Sequence, residues 1–234
     1  MSRIPLVCAP FAGSGAAFFR PWRALAHSDL EIVPLRLPGR ERRIREQPYR
    51  DVRQAAEDLL PGLLTQIGGA GPVALFGHSL GAVLAYELGH LLAGTPSVTV
   101  VSLVVSGSPG PWTRRELRAT GLPDSEFVAR VGELAGHHDP ALEDPEVRQM
   151  VLPTLRADVE MHENYRPGTD IPLAAPITAV RGRDDSLVSA EQAGEWVKAT
   201  SREFVLRELP GEHMYLADSP AEVLRVVEES AGLS

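Results

Sequence analysis

Short apolar runs rich in β-branched residues alternate along the chain with longer stretches whose apolar positions return every three or four residues. The runs cover residues 4–8, 31–35, 73–76, 98–106, 177–180 and 204–209. Helix-like periodicity fills 52–67, 80–92, 190–199 and 220–229. Strands that alternate with helices and are apolar on both faces predict βαβ units. The expected fold class is therefore α/β, a mostly parallel central sheet flanked by helices.

The alternation stops between 111 and 170. No strand pattern occurs there, but two helix starts do. Asp124 is an N-cap candidate ahead of Phe127, Val128, Val131 and Leu134. Asp144-Pro145-Glu146 offers a cap, a proline at the first helical position and an acid in the first turn. Pro153 is expected to end or kink that helix, after which Leu155, Val159 and His162 carry a helical face on to Tyr165. The expected organisation is a core of residues 1–110 and 171–234 with a helical insertion at 111–170, of the kind that forms a lid. Ordinary helices packed on the sheet would show the same periodicity.

Composition narrows the class. A chain of 234 residues, 44% hydrophobic and 23% charged, can bury one good core. Its formal charge of -8 disfavours nucleic acid and anionic membranes, both of which reward a positive surface. A single cysteine, Cys8, excludes an internal disulfide and sits in a strand-like run, which predicts a buried core thiol in a reducing cytoplasm. No apolar run approaches the roughly 18 residues of a membrane span, and the N-terminal run is too short for a signal peptide. A soluble cytoplasmic protein is expected.

The chemistry begins at Gly77-His78-Ser79-Leu80-Gly81, a G-x-S-x-G match. At typical glycine usage such a match arises by chance in roughly one chain in ten of this length, so the setting has to carry the argument. A strand run precedes the motif and a helical pattern follows it. That is the context a nucleophilic serine needs: a tight turn with room only for small neighbours, ahead of a helix N-terminus that favours a developing oxyanion.

A serine hydroxyl needs a base, and the base an orienting carboxylate, here in the chain order Ser, acid, His. Beyond residue 180 only one histidine remains, His213, in the loop after the run 204–209. The acid comes from Gly182-Arg183-Asp184-Asp185-Ser186-Leu187-Val188. Asp185 is preferred over Asp184, because Val188 is then placed to anchor the turn in the core. His27, His90, His137, His138 and His162 are expected to be structural or exposed, and no metal site is expected. One oxyanion donor is expected at the backbone N–H of Leu80. A second is expected from the loop after the first strand, at Ala12 or alternatively Phe11.

With these residues in place the chain resembles a type II thioesterase, the stand-alone α/β-hydrolase that accompanies modular polyketide and nonribosomal peptide synthases. The resemblance covers nearly the whole chain. It rests on PFAGSG, on LPGRERR at 37–43, on the GHSLG elbow, on LRADVEMHENY, on GRDDSLV and on GEHMYL. Ser14 stands where members of the family usually carry a second glycine. The resemblance implies an α/β-hydrolase fold with a helical lid, and hydrolysis of unwanted acyl groups from the phosphopantetheine arm of acyl or peptidyl carrier proteins. The arm arrives with the substrate, so no cofactor is implied.

Seven arginines between 36 and 53 face Glu41, Glu46 and Asp51, a basic island in an acidic chain. Since carrier proteins are acidic, Arg40, Arg42 and Arg43 are docking candidates; a solvated face with internal salt bridges is the plainer alternative. Phe11 and His78 are candidate substrate contacts, and a monomer is expected. The competing functions are a small-molecule carboxylesterase or lipase with the same triad, and a non-catalytic binding protein of the same fold.

Overall fold

The chain folds around a six-stranded parallel sheet in the order β2-β1-β3-β4-β5-β6. The computed structural model describes residues 3–113, 118–135 and 144–233. The strands are β1 (Ile4–Ala9), β2 (Leu30–Pro34), β3 (Gly71–His78), β4 (Val98–Ser106), β5 (Ile177–Gly182) and β6 (Phe204–Leu209). Each coincides with an apolar run to within a few residues at its ends. Period-two alternation splits every strand between two cores. Leu6 and Cys8 of β1 join Trp22, Phe76 and Val223 on one face, while Val7 and Ala9 join Leu63, Leu75 and Leu84 on the other. Full burial of side chains this size contributes about 1.5–3 kcal/mol each.

The helices are α1 (Trp22–Leu25), α2 (Val52–Gln66), α3 (Leu80–Ala93), α4 (Asp124–Ala135), α5 (Pro145–Glu163), α6 (Ala190–Gly194), α7 (Tyr215–Asp218) and α8 (Pro220–Ser230). The stretch expected as one helix over 190–199 is α6 followed by a 3-10 segment, Glu195–Ala199. α3 is buried nearly all round. Its one buried acid, Glu87, accepts hydrogen bonds from the Tyr165 hydroxyl (2.7 Å) and the Gly168 N–H (3.1 Å), which ties the segment after α5 to α3. None of the described helices is long and apolar enough to cross a membrane.

Two expectations within 111–170 change. Asp124 is the first residue of α4 and does not cap it: its carboxylate is taken by Arg156 of α5 (2.6 and 3.1 Å), whose guanidinium also lies 4.2 Å over the Phe127 ring. Pro153 does not end α5, which runs unbroken past it. The carbonyl that proline leaves without an amide partner is that of Gln149, on the exposed side of the helix where water can satisfy it. Asp144 caps α5 as expected, accepting from the N–H groups of Glu146 (2.8 Å) and Val147 (3.3 Å). His137 and His138 lie outside the described residues, as does the side chain of Leu134.

α4 and α5 enclose a small cluster of their own, formed by Ala119, Phe127, Leu152, Leu155 and Val159, and Ala12 packs against it. Further along α5, Met161 joins the main core on the α3 side of the sheet. One helix therefore reaches from the sheet core to the loop that follows β1.

Candidate active site

The strand order places a topological switch point between β1 and β3. The chain moves outward from β1 to β2, then returns to the other side of β1, so the loops after β1 and β3 diverge and leave a crevice at their carboxyl ends. Ser79 lies at this point. It joins β3 to α3 with φ 53° and ψ −115°, a backbone region that side-chain-bearing residues rarely occupy. A Cβ on Gly77 would lie 1.9 Å from the carbonyl oxygen of Gly81, so the tightness of the turn requires glycine at 77.

The acid and base follow β5 and β6. Asp185 is fully buried at its side chain, whereas Asp184 is exposed. Asp185 Oδ1 accepts from the N–H groups of Leu187 (2.8 Å) and Val188 (3.2 Å), and Oδ2 lies 2.9 Å from His213 Nδ1. A carboxylate at Nδ1 fixes the proton there and leaves Nε2 as the basic nitrogen. Val188 is buried, as the choice of Asp185 required. Where the two loops touch, a Cβ on Gly182 would meet the carbonyls of Gly211 and Glu212, each at 2.4 Å.

Arg181 was not among the sequence candidates. It lies in β5, buried, and donates from Nε to the Val188 carbonyl (2.8 Å) and from Nη2 to the Asp185 carbonyl (3.1 Å), while Nη1 pairs with Glu208. An arginine directly after the apolar run 177–180 was the only signal of this clamp on the acid turn.

His213 meets the elbow through His78, with ring centroids 4.8 Å apart. Gly107, at φ 53°, makes room for both: a Cβ there would come within 2.4 Å of the His78 ring and 3.1 Å of the His213 ring. His78 itself is corrected. It is fully buried, so it cannot touch substrate; Nδ1 bonds Ser106 Oγ (2.8 Å), which in turn bonds the Tyr215 hydroxyl (2.5 Å). Burial pushes the Tyr215 pKa well above its ordinary value, so this phenol stays neutral. The network underlies His213 from below.

Phe11 and Ala12 lie in the loop after β1, half-buried, with the Phe11 ring edge-on to Phe18 (4.9 Å) and to His78 (5.8 Å). Close packing of Gly81 on Ala9 and Pro10 sets this loop against the first turn of α3. Leu80 is the first residue of that turn, where its N–H has no intrahelical carbonyl to meet. The geometry suits stabilisation of an oxyanion above Ser79.

The docking arginines separate. Arg40 is 9% exposed and spends its guanidinium on the carboxylate of Asp158 (2.7 and 2.8 Å), so it is an internal residue. Arg43 is paired with Glu46 (2.9 Å), an exposed contact that holds the Arg43 pKa up and the Glu46 pKa down. Arg42 is exposed.

A serine on a strained strand–helix elbow, with an acid and a histidine delivered by later loops of one parallel sheet, is the construction of the α/β-hydrolases. Within that class the chain belongs to the thioesterase family: the family model described as "Thioesterase domain" matches residues 4–231. Among curated proteins it is 33% identical over 230 residues to the gramicidin S biosynthesis protein GrsT of Aneurinibacillus migulanus, covering 95% of this chain and 87% of that protein. It is 32% identical to the thioesterase PikA5 of Streptomyces venezuelae, covering 95% and 79%. Among solved structures it resembles the type II thioesterase BorB from the borrelidin biosynthetic cluster (TM-score 0.88, 33% identity, 98% of this chain and 93% of that one). It also resembles RedJ, a thioesterase from the prodiginine pathway of Streptomyces coelicolor (TM-score 0.88, 32% identity, 99% and 90%). The protein is a thioesterase, of the type II kind found in polyketide and nonribosomal peptide pathways.

Proposed function

We propose that this thioesterase clears unwanted acyl groups from the phosphopantetheine arm of carrier domains, with Ser79 as nucleophile, His213 as base and Asp185 as its orienting carboxylate. The observation that carries the reading is the 2.9 Å Asp185–His213 contact held against the residue preceding Ser79. His213 Nε2 takes the Ser79 proton as Oγ attacks the thioester carbonyl. Charge on the carbonyl oxygen is met by the backbone N–H of Leu80 and by a second N–H from the loop after β1, that of Ala12 or Phe11. The C–S bond then breaks. A thiolate with a pKa near 8.5 departs with little need of protonation, so a modest triad suffices. The proton on Nε2 passes to the departed thiolate, and the freed nitrogen deprotonates a water that attacks the acyl-enzyme; that proton returns to Ser79 Oγ as the carboxylic acid leaves. No cofactor is called for beyond the arm the substrate brings.

In the same reading the helices of 111–170 form a lid over the loop after β1, and exposed Arg36, Arg42 and Arg45 meet an acidic carrier surface. The protein works as a cytoplasmic monomer. Intact-mass analysis of acyl-loaded carrier domains tests the proposal. Wild type should remove the acyl mass and Ser79→Ala should leave it. Loss with both proteins overturns the role of Ser79, and loss with neither, alongside turnover of simple oxygen esters, identifies an esterase.

A further inference from the structure

The LPGRERR segment reads as a docking candidate or a solvated face with internal salt bridges, yet its arginine at position 40 faces inward. Arg40 Nη1 donates to the Ser14 carbonyl (2.7 Å) and to Asp158 Oδ2 (2.8 Å), Nη2 to Asp158 Oδ1 (2.7 Å), and Nε to the Pro38 carbonyl (3.3 Å). Asp158, on α5, is 1% exposed, and its Oδ2 also accepts from the Gly13 N–H (2.8 Å). The neighbours of Arg40 reinforce the joint: the Gly39 carbonyl accepts from Thr154 Oγ1 of α5 (2.8 Å), and Glu41, at φ 51°, accepts from the Ala17 N–H (2.7 Å).

These contacts fix the orientation of one particular N–H. The Phe11 carbonyl accepts from both the Ser14 N–H (3.0 Å) and Ser14 Oγ (2.9 Å). Since the peptide is planar and trans, the Ala12 N–H on the same plane must point the opposite way. The next plane is fixed by the Gly13 N–H on Asp158, at φ 77°. Ser14, which locks the first plane, is itself held by Arg40. A buried charge pair is an expensive device for simple cohesion, because its desolvation cost offsets most of its attraction.

We propose that Arg40 and Asp158 are positioning residues for the oxyanion hole. Through Ser14 and Gly13 they hold the Ala12 N–H, and they make that alignment depend on α5 being seated. The inference rests on the Ser79 acyl-enzyme reading given above. It assigns the second donor to Ala12 rather than Phe11, and it gives α5 a part in transition-state binding.

The test compares two ligands on each variant. An acyl trifluoromethyl ketone forms a hemiketal oxyanion with Ser79, whereas the matching acyl-chain thioether, which has no carbonyl at that position, does not. For Asp158→Asn, kcat on an acyl thioester should fall about 10²–10³-fold with KM little changed. Affinity for the ketone should fall by a similar factor, and thioether affinity should stay within about twofold. Arg40→Lys keeps the charge but loses the fork, and should show the same split at about tenfold. It serves where Asp158→Asn is too poorly folded, as judged by circular dichroism and Tm. Equal weakening of both ligands, or no weakening of the ketone in a folded variant, overturns the proposal. Failure of the underlying reading would look different: wild type itself would not bind the ketone more tightly than Ser79→Ala does.

Discussion

Gly81 and Ala9 touch backbone to backbone: a Cβ on Gly81 would lie 2.2 Å from the Ala9 carbonyl oxygen. The contact joins the start of the elbow helix to the end of β1, and so brings Leu80 beside the Phe11–Gly13 loop. Gly81→Ala is expected to cost about 3 kcal/mol or more, because neither partner is a side chain that can swing away. Urea unfolding would check this. The surviving folded fraction should also turn over more slowly than wild type. A variant of wild-type stability would show that the elbow is looser than this contact implies.

The two adjacent acids should behave differently. Asp185→Asn should lower kcat by roughly 10²–10⁴-fold, since an amide no longer selects the Nδ1-protonated tautomer of His213. Asp184→Asn should leave kcat within about twofold, because that carboxylate is exposed and it is Asp185 that meets His213. Steady-state kinetics on one acyl thioester decides the matter, and equal effects would reject Asp185 as the orienting acid.

Cys8 should be silent to thiol reagents in the native state. It is fully buried in β1 and burial pushes its pKa far above that of a free thiol, so almost no thiolate exists at pH 8. Iodoacetamide should add one carbamidomethyl group in 6 M urea and none in buffer, read by intact mass. Rapid native labelling would contradict the closed core on that face of the sheet.

His90 should make stability fall in mild acid. Its ring packs edge-on to Tyr86 at 4.7 Å, Nε2 has no hydrogen-bond partner among the described residues, and burial lowers its pKa. The folded protein therefore keeps His90 neutral while the unfolded chain takes up a proton near pH 6.5. Below that pH the unfolded state binds more protons, so this contribution to stability is present above about pH 6.5 and is lost as the pH falls. His90→Gln should lose less stability than wild type between pH 7.5 and 5.5 in urea titrations. An unchanged difference would remove His90 from the account.

What sequence alone determined were the features written in local pattern. Apolar period and length marked all six strands and most helices, because a doubly covered sheet leaves strands continuously hydrophobic. Asp144 could be read as a cap because capping acts within three residues. The elbow at Ser79 was legible because that turn has its own glycine signature, and the Asp185–His213 pair because chain order restricts an acid and a base to the ends of later strands.

Tertiary structure alone decided the rest. Arg40 and Arg42 stand two positions apart in one basic segment, yet Arg40 is sealed against Asp158, 118 residues away, while Arg42 meets water. His78 adjoins the serine in sequence but turns beneath it onto Ser106 and Tyr215. Pro153 carries the local instruction to stop a helix, and packing of α5 from the loop after β1 to the sheet core overrides it. In each case the energy comes from a contact between distant segments. Burial and charge pairing across the fold are set by where chains meet, and no local pattern encodes that meeting.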